Sequence, residues 1–446
     1  MSRNIYWCAA VAVLLGNPLN VFAADDNGLQ DIRDQIQQLQ QSVAAQAQAI
    51  TQQPIRSSAG PSSENSFNPA VSMILSGTYG QLKQDPVVPA TGFAMNANNT
   101  GYTRGFSLKE SELSIAANID PQFRGVGTFS LDPAGGISVE NGFVQTSALG
   151  NGLNLKFGRF FSGLGYINEQ HSHVWDFVDQ PLVYRALWDN QYADDGLQLK
   201  WLAPTDMFVE VGGEIGRGLG FPGTDQNKNG AGAGVLFAHI GDDIGIEQSW
   251  RAGASLHQTR RVDAVSVAVP DLAGTVSGVS NSFTGDSQTA GLDFVWKYSH
   301  NGNIRERYLK VQGEYFRRKE SGMLTYNLDT SVAPPPGTNI AGNYANTQSG
   351  WYLQSVYQFM PTWRTGLRYD RLDPGTASVG ASIAANVISD YSFNPSRLTW
   401  MADYNPSEFT RIRLQLAHDN SRQGLADNQL FVQYIMSLGA HGAHQY

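Results

Sequence analysis

The sequence predicts an all-β fold: a transmembrane antiparallel β-barrel of about sixteen strands, preceded by a short periplasmic α-helical coiled-coil segment. Three observations carry this. From Phe67 onward, apolar and polar residues alternate in segments of about ten residues, the period of a strand whose two faces meet different media. The connections between these segments alternate long and short. The composition is secreted and helix-poor, with 47 glycines, 11% aromatic residues and one cysteine in 446 residues.

Residues 1–23 read as a secretory leader. Arg3 precedes the apolar run "WCAAVAVLLG", and Val21 and Ala23 are small enough to flank a cleavage site. The run is too short for a membrane anchor, and no later segment reaches the ~18 consecutive apolar residues of a spanning helix. Cys8 lies within the leader, so residues 24–446 hold no cysteine and no thiol chemistry. Removing the leader takes away Arg3 and no acid, which moves the formal charge from −9 to −10 and gives nucleic acid nothing to bind.

Residues 24–53 form the expected helix. Leu29, Ile32, Ile36, Leu39, Val43 and Ile50 follow a heptad seam that only Gln46 interrupts. About three heptads are marginal alone, so the coil is expected to assemble chains already held together; the simpler reading is an amphipathic helix on its own domain. Residues 54–66, within "QQPIRSSAGPSSENS", make a linker, and 67–446 make the barrel.

Along the barrel the alternation is regular. "DDGLQLKWLAP" sets Leu197, Leu199 and Trp201 against Gln198 and Lys200, and "NQLFVQYIMSLGAH" sets Val432, Tyr434, Met436 and Leu438 against Phe431, Gln433, Ile435 and Ser437. Sixteen such segments occur, from 69–83 to 428–439. The long connections are 84–105, 162–193, 216–230, 262–285, 321–347 and 374–395; short ones include "DPQ", "LGNG", "APTD" and "NPSE". A soluble sandwich shares the strand period but has no reason for that loop order, whereas an outer-membrane barrel has long outer loops and short periplasmic turns. Tryptophans and tyrosines near segment ends fit interfacial girdles. The expected surroundings are outer-membrane lipid and lipopolysaccharide.

Residues 162–193 form the third outer loop, 32 residues long. A sixteen-strand barrel is too wide to discriminate solutes without something inside it. The strand "LKFGRF", the loop start "FSGLGYINEQ" and the run "DFVDQPLVY" resemble the phosphate/pyrophosphate-selective porin family, and the heptad resembles the N-terminal coiled coils of sugar-specific porins. That resemblance implies a homotrimeric outer-membrane channel narrowed by its third loop. One feature departs from it. A phosphate constriction needs cationic donors, yet residues 162–195 carry Glu169, Asp176, Asp179, Asp189, Asp194 and Asp195 against Arg185 alone.

The expected constriction is therefore Glu169, Asp176, Asp179 and Arg185, facing a basic pore wall of Lys156, Lys200, Lys310, Arg364, Arg368, Arg411 and Arg413 on inward strand faces. Acid opposite base gives a transverse field across the eyelet, and it also lets the charges pair and hold the loop; both effects are expected. The function class is passive diffusion of small hydrophilic solutes or ions.

Three sharper sites compete. His171 and His173 could bind Zn²⁺ with Glu169, Asp176 or Asp179, which would make a channel specific for a metal ion or another particular solute. The tail histidines His441 and His444 lie at the opposite end. "DQNKNG", with Asp225, Asn227, Asn229 and Gly230, begins like a Ca²⁺ loop but has Leu236 at the twelfth position, and an Asn/Gly turn serves as well. An outer-membrane enzyme finds little support: His239, His257 and His418 lie on strands with no nucleophile motif beside them. About forty-five residues between leader and first strand leave no room for a transporter plug domain.

Overall fold

The computed structural model describes residues 69–84, 90–93, 95, 102–109, 111–131, 135–147, 149–266, 281–326, 340–381 and 392–439. The expected leader, coiled coil and linker lie outside them, as do His441 and His444.

Sixteen staves close a single antiparallel sheet. They are β1 (Ala70–Leu82), β2 (Gly105–Leu108 and Ser111–Asn118), β3 (Phe123–Leu131), β4 (Ile137–Thr146), β5 (Leu153–Phe161), β6 (Ala193–Leu202), β7 (Phe208–Gly216) and β8 (Ala233–Ile244), followed by β9 (Gln248–Ser266), β10 (Asn281–Ser299), β11 (Tyr308–Tyr326), β12 (Ile340–Met360), β13 (Trp363–Asp373), β14 (Ser396–Ser407), β15 (Thr410–Asn420) and β16 (Asp427–Gly439). Each pairs with its neighbour in sequence, and β1 closes on β16 from Ser72↔Gly439 to Leu82↔Gln429. Closure leaves no sheet edge, the condition a β-structure must meet in lipid. The break in β2 is bridged by the Ser76 N–H donating to Ser111 Oγ at 3.1 Å.

The two faces divide as the alternation requires. Leu197, Leu199 and Trp201 are 45%, 49% and 41% exposed, while Gln198 between them is 1% exposed. The apolar face therefore looks outward, the arrangement of a transmembrane barrel of the bacterial outer-membrane type. Trp363 against Tyr404 and Trp250 opposite Trp296 lie near the short turns, where amphipathic rings meet headgroups.

The segment ends differ from expectation in one region. Strands β9 to β12 run 19, 19, 19 and 21 residues, with ladders continuing to Ser266↔Asn281 and Tyr326↔Ile340. The expected connections 262–285 and 321–347 are correspondingly shorter. At about 3.3 Å per residue these strands reach roughly 60 Å, well past a ~25 Å apolar band. Beyond the lipid the alternation is no longer required, but the backbone groups still need partners, so the ladder goes on.

Candidate functional site

Residues 162–193 leave β5 at its outer end and turn into the barrel. Two wall glutamates receive the turn. Gly163 N–H donates to Glu214 Oε1 (2.8 Å). Tyr166 and Ile167 N–H donate to the two oxygens of Glu314 (2.9 and 3.3 Å), which also accept from Tyr184 and Tyr352 hydroxyls at 2.8 and 2.7 Å. Gly165 sits at φ +66°, and a Cβ there would come within 2.2 Å of Glu314 Oε2; glycine is the residue that tolerates both. The fully buried Asn168 ties the two ends of the loop together. Its amide donates to the Ser162 and Tyr192 carbonyls, both at 2.8 Å, and its oxygen accepts the Tyr192 N–H at 2.8 Å.

The loop then descends and returns through a short helix, α1 (Leu182–Trp188). Leu182, Val183, Tyr184, Ala186, Leu187 and Trp188 are each at most 2% exposed, and only Arg185 of the helix is half-open. Phe93 and Met95 of the first long connection, and Phe237, Phe316, Tyr352 and Leu372 of the wall, complete an apolar core inside the barrel. The Leu182 N–H donates to Asp370 Oδ1 of β13 (3.0 Å), giving the helix its N-terminal partner from the wall. Asp189 closes the other end in the left-handed region at φ 50°.

The expected constriction residues divide into two settings. Asp176 lies between Lys310 Nζ (2.5 Å) and Arg364 Nη1 (3.0 Å), with Gln354 Nε2 at 3.0 Å. Asp179 takes Arg368 Nη2 (2.8 Å), Arg397 Nη1, the Tyr102 hydroxyl and Gln415 Nε2 (3.3 Å). Burial alone would raise both carboxyl pKa values, but Lys310 and Arg364 around Asp176, and Arg397 and Arg368 around Asp179, outweigh it and hold both well below the usual carboxylate range. Arg185 donates to the Tyr102 hydroxyl (2.7 Å) and lies over its ring.

The basic wall is itself interleaved with acids. Asp403 of β14 accepts from Arg364 (2.7 Å) and Arg413 (2.7 and 3.0 Å), and Arg411 approaches it at 3.8 Å. Arg413 and Arg411 also donate to the Trp175 and His173 carbonyls at 2.9 and 3.2 Å. Arg364, Arg368 and Arg413 all point inward but are buried in these pairs, so on this side the charges hold the loop.

Glu169 stands apart. It reaches Lys200 Nζ at 3.0 Å on the β5–β8 side, and the two side chains are 37% and 18% exposed. Glu210 lies 3.7 Å from the same ammonium. Lys156 is next along, its Nζ over the Phe143 and Phe160 rings. Here charged groups of both signs remain partly open.

His171 and His173 do meet carboxylates, though not those expected: Glu169, Asp176 and Asp179 are held by Lys200 and by the Lys310–arginine wall. The histidines instead face Glu112 of β2 and Glu140 of β4. Asp225 pairs with Arg217 (2.5 Å) and accepts the Asn227 N–H at 3.0 Å, the geometry of a local Asx turn. The residues missed from sequence are the wall acids Glu112, Glu140, Glu214, Glu314, Asp370 and Asp403, together with Arg397. Apart from Glu140, which sits at a bulge, their one signal was a charge on an inward strand face.

No model of a known protein family matches the chain, so its resemblance to the phosphate-selective porins rests on the local motifs and layout alone. It is 28% identical over 417 residues to an uncharacterized protein of Aquifex aeolicus, covering 86% of this chain and 81% of that one. Among solved structures it is similar to OmpT, an outer membrane protein of Vibrio cholerae. The loop L8 deletion mutant gives a TM-score of 0.50 at 12% identity, covering 83% of this chain and 99% of that one. The in-vitro folded protein gives 0.50 at 12%, covering 83% and 97%.

Proposed function

We propose that the chain is an outer-membrane porin: a channel for passive diffusion of small hydrophilic solutes or ions, narrowed by residues 162–193. The observation that carries this is the placement of the loop. A closed barrel with an apolar exterior holds a long loop inside it, pinned to the β11–β14 wall through buried ion pairs. On the opposite side the Glu169–Lys200 pair is left partly open. The solute path runs along that side, past Glu169, Lys200, Glu210 and Lys156. Charges of both signs there favour hydrated polar solutes over apolar ones and give modest ion selectivity. The chain works as a homotrimer in outer-membrane lipid and lipopolysaccharide.

Purified protein added to a planar bilayer should give discrete, ohmic conductance steps, and small uncharged sugars should pass in a liposome swelling assay. Absence of both from correctly folded protein overturns the reading.

A further inference from the structure

We infer that Glu112, Glu140, His171 and His173 form a binding site for one divalent transition-metal ion of the Zn²⁺ type, which fastens residues 171–173 of the inner loop to the β2–β4 wall.

The geometry is that of a ligand set drawn from three elements. His171 Nδ1 lies 3.2 Å from Glu112 Oε2 and 3.1 Å from Glu140 Oε2, and His173 Nδ1 lies 3.0 Å from the other Glu112 oxygen. Ligand atoms about 2.0–2.1 Å from a tetrahedral zinc sit roughly 3.3 Å apart, so Glu112, Glu140 and His171 need little movement to admit an ion, whereas His173, on the other Glu112 oxygen, must shift to join them. One ligand atom each from Glu112, Glu140 and His171 already lies within 4.8 Å of the others. The two imidazoles stack side by side, centroids 5.8 Å apart.

Glu140 is there because of a bulge. Pairing between β3 and β4 passes from Thr128↔Asn141 to Phe129↔Val139, and Glu140 is the residue skipped. The skip lets Glu140 and Asn141 both reach His171 although they are adjacent in the strand. Bulges serve to re-aim a side chain in this way. Asn141 places its amide 3.0 Å from His171 Nε2. The atom facing the ring is the amide nitrogen, which donates to Nε2, so the ring proton sits on Nδ1 between the two carboxylates and a metal ion would replace it there.

The charge balance points the same way. Two carboxylates converge on one imidazole nitrogen, which has at most one N–H to give. Glu112 is almost fully buried, at 1% exposure, so its charge needs a partner; a His171 protonated on Nδ1 supplies one, and a divalent ion would supply two charges in place of that proton. That ion satisfies both carboxylates at once. Hard alkaline-earth ions would prefer an all-oxygen set, whereas imidazole with carboxylate suits zinc. His171 remains 25% exposed, which leaves the site open for an ion to enter. The site stands independently of the channel reading, because it is tested by binding and not by conductance.

The test uses full-length protein in detergent, stripped with chelator and titrated with ZnCl₂ by calorimetry, with bound zinc counted by elemental analysis and MgCl₂ as comparison. Wild type and a His441→Gln/His444→Gln variant should both bind one zinc per chain. His171→Gln and Glu140→Gln should each weaken binding at least about tenfold, with folding verified by circular dichroism. Should those variants fail to fold, X-ray absorption on zinc-loaded wild type decides: imidazole and carboxylate scatterers at about 2.0–2.2 Å support the site. No saturable binding in the wild type, loss of binding only in the tail variant, or a spectrum without imidazole overturns it.

Discussion

Asp179 collects two guanidinium groups, a tyrosine hydroxyl and a glutamine amide in the barrel interior. At the scale of single residues, such a carboxylate acts as an anchor, since all the charge it could offer a passing solute is already taken. Removing it takes one acid from two buried guanidinium groups, leaving Arg368 to Asp370 at 3.0 Å and Arg397 to Asp419 at 3.6 Å. Asp179→Asn should therefore lower stability by about 3–5 kcal/mol, the usual cost of breaking a buried pair, read as a fall in the denaturant midpoint. Asn168 is the second sensitive residue. Asn168→Ala takes their partner from the Ser162 carbonyl and the Tyr192 N–H, while the Tyr192 carbonyl keeps the Ser162 N–H at 3.0 Å; this costs roughly 1–3 kcal/mol per orphaned group, and limited proteolysis should then cut between residues 162 and 193. Protease resistance equal to wild type would show that other contacts suffice to hold the loop. Glu169 should behave differently from both, since its removal breaks only a partly open pair with Lys200 and leaves the fold intact.

At the scale of the element, the inner loop is held by charge on one side and by apolar packing in the middle. Its dependence on pH follows from Asp176 and Asp179. Their folded pKa values are depressed, so their stabilisation is fully present above the unfolded carboxylate pKa of about 3.9 and is lost as pH falls below it. Channel current should be steady from neutrality down to about pH 4 and become noisy or larger below that, reversibly, as the loop loosens. A current that stays quiet and unchanged into strong acid would mean that the apolar core around α1 holds the loop unaided. The element also shows what a sequence can and cannot disclose. Loop 162–193 was visible from its length and position, because the strands on either side alternate cleanly. Its partners were less visible. Arg364, Arg368 and Arg413 were legible as inward cations, but the acids beside them were not, since an acid on an inward face reads the same whether it lines water or receives a loop. Glu140 could not be placed at all, because the bulge that turns it inward breaks the two-residue period from which facing is inferred.

For the whole molecule, the sixteen staves were legible because lipid outside and polar groups inside impose the alternation on every strand that crosses the membrane. Where strands leave the lipid, as at the outer ends of β9 to β12, the constraint lapses and the sequence no longer marks their limits. The same logic separates the two halves of the interior: one packed and neutralised, the other carrying Glu169, Lys200, Glu210 and Lys156 with partial exposure. Solutes are proposed to pass on this second side. The most direct test is the zero-current potential across a planar bilayer in a KCl gradient for wild type, Glu169→Gln and Lys200→Met. Glu169→Gln should shift the potential toward anion preference and Lys200→Met toward cation preference, each with conductance near the wild-type value. Potentials unchanged in both variants would contradict it and place the path elsewhere.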